Sequence, residues 1–488
     1  MATNDQSIAQ VTMRGTLWSY GINYGGKFVS LVSTIVLARL LSQDDFGVAG
    51  YALIFTNFID VFAGLGIPQA VIFHKLEPKM KDTAFWSSVL IGVILFVVTW
   101  ITAPLGGMYF QDPRATPVIQ ALGLTYPISA LSNVQSALLR KEFSFGKQFI
   151  PEFLSAIAKA VIAIGLAYMG FGPWSLVIGQ IGSKLVSTVV YWVVFPWLPS
   201  LSFIKDQCIQ LIKYGANSSL VDIVNVFQSN VDYLLISRFL GAAALGVYTL
   251  AFKIPEILIM QFCGAVTNVI FPVFSKLKDD AATLRNGFLQ ATQYSSVIVV
   301  PTSLGLALIA QPVVLLLFSE KWLDAIPVIR AISIYMLAVA LPFNAGLVYR
   351  AKGQQFLLTK ITVAEIAILA PALYWVVNTF HSIVMVGWAQ SFFAVLFGCV
   401  QVIIATKMLD TTLLSFLLAV GPALISGIVM SIAVLCISAF SSPLGLWSQL
   451  IISIITGAFF YIMTLFLIKR EIIVKINQTI KGVLIKSA

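Results

Sequence analysis

The stretch ARLLSQDDFGVAG, Ala38–Gly50, has a near copy further along the chain, SRFLGAAALGVYT, Ser237–Thr249. Arg39 aligns with Arg238, Leu41 with Leu240, Gly47 with Gly246 and Val48 with Val247, all at one offset of 199. A second pair of strings supports the repeat. PVIQA at Pro117 recurs as PVIRA at Pro327, and Arg140 aligns with Arg350, both at an offset of 210. An insertion within SKLKDDAATLRNG accounts for the change of offset. Arginine and Gly-Val recur in both copies, whereas Asp44 and Asp45 give way to Ala243 and Ala244.

Composition says where such a chain resides. Of 488 residues, 59% are hydrophobic and only 10% are charged. Soluble domains carry about 25% charged residues, so this chain cannot clothe itself for water. Continuous apolar runs such as SSVLIGVILFVVTWITAPLGG and LWSQLIISIITGAFFYIMTLFLI have helical length. A membrane-crossing helix needs about 20 apolar residues, whereas barrel strands alternate over about ten. The expectation is an all-α polytopic membrane protein with about fourteen spans. Their approximate limits are 16–40, 47–73, 84–106, 116–139, 149–170, 173–198, 214–239, 245–273, 287–318, 326–349, 360–379, 383–407, 412–438 and 446–468.

Basic residues orient these spans, because lysine and arginine concentrate in cytoplasmic loops. Of the 30 lysines and arginines, 21 fall at the termini and in the even-numbered loops, and 4 on the opposite side. Both termini are therefore expected in the cytoplasm, as an even number of spans requires. The net charge of +10 is explained by this bias and by anionic lipid heads, and calls for no nucleic acid.

Six spans separate Arg39 from Arg238, an even number, so both copies run the same way through the membrane. That pattern predicts a parallel repeat about an axis along the membrane normal. The expected organisation is a six-helix lobe over 1–200, an interfacial linker over 201–213, a second six-helix lobe over 214–410, and two further helices with a basic tail over 411–488. Gly47 and Gly246 open the second helix of each lobe after a tight turn.

The strings LARLLSQDDFGV, ALLRKEFSF, FPVFSKLKDD and LLFSEKWLDAIPVI resemble the polysaccharide exporter branch of the multidrug/oligosaccharidyl-lipid/polysaccharide superfamily. Within it they resemble colanic-acid-type exporters, which are lipid-linked oligosaccharide flippases. The resemblance covers nearly the whole chain. It implies transfer of an undecaprenyl-diphosphate-linked oligosaccharide between leaflets for capsule, exopolysaccharide or lipopolysaccharide synthesis. It implies membrane lipids and the polysaccharide polymerase and chain-length machinery as partners. It supplies no set of catalytic residues.

Charges in mid-span cost about 2.5–3.5 kcal/mol each on insertion scales, so they are the candidates for function. In span seven, Ser218, Asp222, Asn225, Ser229 and Asp232 recur at helical spacing and form one stripe. Span one carries a similar stripe of Asn23, Lys27, Ser30 and Thr34. The offset of 199 maps Asn23 onto Asp222 and Ser30 onto Ser229. Both faces are expected to line a central cavity; hydrogen bonding between helices within each lobe is the alternative use of such residues. The candidate substrate-binding residues are Asn23, Lys27, Lys159, Lys184, Asn225, Ser229, Lys253 and Arg330, the cations taking the diphosphate and acidic sugars. Asp60, Asp222, Asp232 and Glu365 are the candidates for coupling to H⁺ or Na⁺. Lys253 and Glu256 stand one turn apart, where they can simply pair, with Pro255 kinking the helix between them.

No cofactor or metal is expected, since the four cysteines show no ligand spacing and no nucleotide loop is present. An enzyme of polysaccharide assembly is disfavoured by short outer loops, the longest being near GGMYFQDPRATP. The remaining alternative is a cation-coupled small-molecule or drug antiporter of the same superfamily.

Overall fold

The structure, a computed structural model, describes residues 25–63, 67–73, 78–142, 144–441 and 445–487. Every element among them is helical. Eleven described stretches are long and apolar enough to cross a membrane. Helices also occupy the other three expected positions, over 25–40, Ala115–Lys141 and Lys205–Phe239. The beginning of the first expected span lies outside the described residues.

In chain order the helices are α1 (25–40), α2 (Gln43–Ala63), α3 (Ile67–Phe73), α4 (Pro78–Phe110), α5 (Ala115–Gly123), α6 (Thr125–Lys141), α7 (Phe145–Tyr168), α8 (Pro173–Val194) and α9 (Lys205–Phe239). Then come α10 (Gly241–Pro255), a π turn (Glu256–Met260), α11 (Gln261–Lys276), α12 (Ala281–Leu308), α13 (Ala310–Leu317), α14 (Ala325–Ala340) and α15 (Phe343–Ala351). The last four are α16 (Gln355–Phe380), α17 (Ile383–Met408), α18 (Leu413–Ser441) and α19 (Leu446–Ser487).

Several expected spans are broken, and proline explains where. Pro127 has no N–H for the carbonyl of Gly123, and the helix parts at Leu124, where the Thr125 hydroxyl donates to Leu122 O at 2.6 Å. Pro312 likewise has no N–H for the carbonyl of Leu308, and α12 parts from α13 at Ile309. Residues 205–213, within the interfacial linker expected over 201–213, are helical and run straight into α9.

By contacts the chain divides into two compact units, Met1–Gly246 and Val247–Ala488. In the first, α7 packs along α8, α4 lies against α5 and α6, and α2 is flanked by α5 and α9. Its core joins Ile67, Val71, Phe85, Ile91, Leu95, Tyr126, Val134 and Leu138. The Phe85 ring is met edge-on by Trp86, Trp192 and Trp197, with centroids 5.3 to 6.0 Å away. Beside this cluster the extended strand of chain before α9 is tied to α4. Buried Asp82 accepts from Ser200 N at 3.2 Å and from the hydroxyls of Ser200 and Ser202. In the second unit, α12 packs on α14 and α18, and α18 runs along α19. Val300, Ala423, Met430, Val434, Tyr461 and Leu465 form the core between them, and the Tyr461 hydroxyl donates to Val297 O at 3.0 Å.

The repeated glycines meet within the first unit. A Cβ on Gly47 would overlap the carbonyl of Ala242, and a Cβ on Gly246 would overlap the carbonyl of Gln43. Gln43 and Ala242 are themselves equivalent at the offset of 199. The contact is therefore reciprocal, and a local twofold relates the two turns. Each copy makes its turn differently. The first uses a capping box in which Ser42 N and Oγ donate to Asp45 at 2.9 and 2.7 Å, while Asp45 N donates to Ser42 Oγ at 3.2 Å. The second uses Gly241 at φ +83°, a conformation that costs glycine nothing.

The segment between α4 and α5 clasps both copies. Arg114 forks onto Asp44 (2.5 and 3.2 Å) and onto Asp112 (3.0 and 2.7 Å). The same guanidinium holds the Asp112 carboxyl below its usual range. Arg238 donates to Tyr109 O at 2.9 Å and stacks over the Tyr109 ring at 5.9 Å. The side-chain carbonyl of Gln111 accepts from both Nη atoms of Arg238 at 2.7 and 3.2 Å.

Overpacking a close helix contact costs about 1–3 kcal/mol. Gly47→Val and Gly246→Val are each expected to lower the thermal midpoint of the purified protein. Gly165→Ala, with open space around it, should leave it unchanged or raise it. Midpoints equal to wild type in both valine variants would remove the glycine contact as a constraint.

Candidate functional site

The helices of the first unit enclose a cavity of about 400 Å³ with a polar wall. It is built from the mid-portion of α2 (Leu53, Thr56, Asn57, Asp60), from α6 (Tyr126, Ser129, Asn133), and from α8 (Gln180, Lys184), with Gly92 of α4 behind. Gly92 is required there. A Cβ at that position would come 2.7 Å from Ala130 Cβ and 2.9 Å from Tyr126 O, so any side chain pushes α4 off α6. The break at Leu124 places the start of α6, Thr125 and Tyr126, on the cavity wall.

Polar groups in the wall are held from both sides. The Tyr126 hydroxyl donates to Thr56 O at 3.1 Å and shares the cavity wall with the Asp60 carboxyl. Asp60 and Lys184 share the cavity. Asn57 Nδ2 donates to Asn230 Oδ1 on α9 at 3.1 Å, and Asn230 Nδ2 donates on to Val226 O at 2.8 Å. One turn away, the Phe58 and Phe227 rings meet edge to face at 6.1 Å. A carboxyl, an ammonium and several neutral amides and hydroxyls thus face one solvent-reachable space inside apolar helices. Such a wall has the chemistry to hold sugar hydroxyls, or a proton or cation on Asp60.

Of the residues singled out by sequence, the structure brings Asp60 and Lys184 together. On α9, Asp222, Asn225 and Ser229 are exposed along one face, while Asp232 is buried at its end and accepts from Tyr233 N at 2.9 Å. Lys27 on α1 and Lys159 on α7 are half-buried. In the second unit, Lys253 Nζ lies 3.5 Å from Glu256 Oε2. Arg330 is exposed near the start of α14, and Glu365 is half-buried on α16. Asn23 lies outside the described residues. The sequence reading missed Asn57, Tyr126 and Asn230. A usable signal existed for the first, since Asn57 sits one turn before Asp60 on the same helix face. Tyr126 and Asn230 are joined to α2 only through the fold.

The second unit holds a different kind of hollow. A groove of about 640 Å³ runs between α12, α18 and α19, lined by Val297, Ile298, Met430, Val434, Ile454, Gly457, Ala458 and Ile462 with few polar atoms.

If Asp60 and Lys184 work as a unit, Asp60→Asn and Lys184→Gln each lower the thermal midpoint of the purified protein, and the double variant lowers it by less than the sum of the two. Strictly additive losses would mean that the two groups act separately.

The comparisons with known proteins fit this architecture. Residues 36–327 match the family model described as "Polysaccharide biosynthesis protein". The chain is similar to the teichuronic acid biosynthesis protein TuaB of Bacillus subtilis, 25% identical over 80% of this chain and 81% of that protein. It is also similar to the lipopolysaccharide biosynthesis protein WzxC of Escherichia coli, 26% identical over 75% of each. Its fold is shared with the lipid II flippase MurJ in an inward closed conformation, at a TM-score of 0.75 and 14% identity over 94% of this chain and all of that one. The family model covers more than half of the chain, so this multi-pass membrane protein belongs to the polysaccharide biosynthesis protein family.

Proposed function

We propose that the chain is a flippase that carries an undecaprenyl-diphosphate-linked oligosaccharide repeat unit from the cytoplasmic to the outer leaflet of the bacterial inner membrane by alternating access. The single observation that carries the reading is a cavity with a carboxylate and an ammonium on its wall, enclosed by membrane-spanning helices of a polysaccharide-biosynthesis family member. A lipid-exposed surface has no use for such groups, and each is costly to insert. A hydrophilic headgroup crossing the membrane needs them.

The hollow in each unit has its own chemistry. The polar wall around Asp60, Asn57 and Lys184 suits sugar and phosphate, and the exposed Asp222, Asn225 and Ser229 extend the polar surface along α9. The apolar groove between α12, α18 and α19 suits a branched hydrocarbon chain, which needs no hydrogen bonds and gains from burial of its methyl groups. No bond is made or broken in such a cycle, so the protein acts as a carrier. Asp60, Asp222, Asp232 and Glu365 are the acids able to couple the cycle to H⁺ or Na⁺. Lys27, Lys159, Lys184, Lys253 and Arg330 are the cations for the diphosphate. Both termini face the cytoplasm, and the polysaccharide polymerase and chain-length machinery receive the product outside.

Loss of the protein is expected to abolish surface polymer and to accumulate lipid-linked repeat units on the cytoplasmic face. Normal glycan with altered drug sensitivity would favour an antiporter instead. A narrower test addresses the groove. Ala458→Trp fills it and should reduce export severalfold while the variant keeps wild-type abundance and melting. Undiminished export would mean that the lipid chain travels elsewhere.

A further inference from the structure

Lys253 and Glu256 sit where an ion pair needs a reason. Lys253 lies twelve residues past Gly241 at the start of α10, about 18 Å along a helix at 1.5 Å per residue. The hydrocarbon core is about 30 Å thick, which places the pair near its middle. The side chains are nevertheless 39% and 46% exposed. Charges so exposed at that depth face water or a polar ligand, since hydrocarbon gives them nothing.

Their contact is loose. It is a single approach of 3.5 Å between residues one turn apart, not a two-pronged bond, and half-exposed pairs of this kind are weak and exchangeable. The backbone at the site is also altered. Pro255 has no N–H to donate back along the helix, and the next five residues, Glu256–Met260, form a π turn. Such turns are local one-residue bulges that recur at functional sites. The repeat supplies an independent pointer. At the offset of 199, Glu256 is the counterpart of Asn57, which lines the polar cavity of the first unit.

We infer that Glu256 is the resident counter-ion of Lys253, displaced when the anionic diphosphate of the cargo takes the lysine, and that it thereby sets which headgroups are admitted. The inference rests on the flippase reading above. With no cargo, Glu256 neutralises an ammonium that the membrane interior would otherwise penalise. When cargo arrives, two phosphate charges outcompete one carboxylate for the same ammonium. When cargo reaches the far side, Glu256 returns to the lysine and helps it let go. A neutral headgroup cannot compete for Lys253 and leaves the pair closed. Glu256 is a positioning residue in this scheme: it acts through Lys253 and need not touch the cargo.

The test compares binding of farnesyl diphosphate and farnesol to the purified full-length protein, followed by calorimetry. Wild type should prefer the diphosphate. Glu256→Gln should tighten diphosphate binding about fivefold, the range expected for removing an exposed competing charge, without changing farnesol binding. Lys253→Gln should lose the preference, and the double variant should behave as Lys253→Gln does, because Glu256 has no role without its lysine. Glu256→Asp should restore wild-type affinity. Thermal melting of every variant separates these effects from misfolding. Unchanged diphosphate affinity in well-folded Glu256→Gln, in a protein whose wild type prefers the diphosphate, overturns the counter-ion role alone. A wild type indifferent to the diphosphate overturns both the inference and the anionic-lipid reading beneath it.

Discussion

The contact on which the first unit depends has no side chain in it. Gly47 lies on the backbone of Ala242, and Gly246 lies on the backbone of Gln43. Steric exclusion of this kind is unaffected by salt or pH and tolerates no residue but glycine. It fixes the separation of the α1–α2 and α9–α10 turns to that of two backbones. Only at that separation does Arg114 reach Asp44 while Tyr109 and Gln111 reach Arg238. Arg114 and Asp44 of the clasp are half-exposed, at 52% and 42%, so their pairing adds little on its own. They select the orientation of turns that the glycines have already brought together.

Within the membrane-spanning helices, two acids stand with a base at hand. Asp60 has Lys184 across a cavity, and Glu256 has Lys253 one turn back. A lone charge at mid-membrane costs about 2.5–3.5 kcal/mol on insertion scales. Pairing reduces that cost while leaving both groups available to a ligand that offers better partners. Weak pairing is what a carrier requires. A bidentate, fully buried pair would stabilise the empty protein and refuse the cargo, because displacing it would strand two charges at once.

The large features were legible in the sequence because they follow from one-dimensional signals. Hydropathy gave the helical class, and the offset of 199 gave the equivalence of two turns that proved to touch reciprocally. Asp60 and Lys184 were found because charges are rare in such helices. What escaped is long-range or depends on repacking. The Asn57–Asn230 bond spans 173 positions and the Tyr126–Thr56 bond spans 70, and nothing local to either residue announces its partner. Pro255 announced a kink, but a kink and a π turn share one sequence signature. The choice between them is made by what the helix packs against. The breaks at Leu124 and Ile309 are of the same kind: proline removes a hydrogen bond, and the fold decides how the chain absorbs the loss.

The repeat also shows how two copies of one turn-and-helix pattern come to differ. At the turn, the first copy has Asp44 and Asp45, used for the Arg114 fork and the capping box, where the second has alanines and a left-handed Gly241. Further into the membrane the asymmetry reverses. The first copy holds Asn57, a neutral amide spent on Asn230, where the second holds Glu256, a charge left half-exposed beside Lys253. Charge at the turn serves architecture, since it is met there by fixed partners. Charge at mid-membrane cannot serve architecture cheaply, since a neutral amide does the same joining at lower desolvation cost, as Asn57 does. A carboxylate kept at the equivalent place, loosely paired and open to solvent, is therefore better explained by what it binds in turn than by what it holds together.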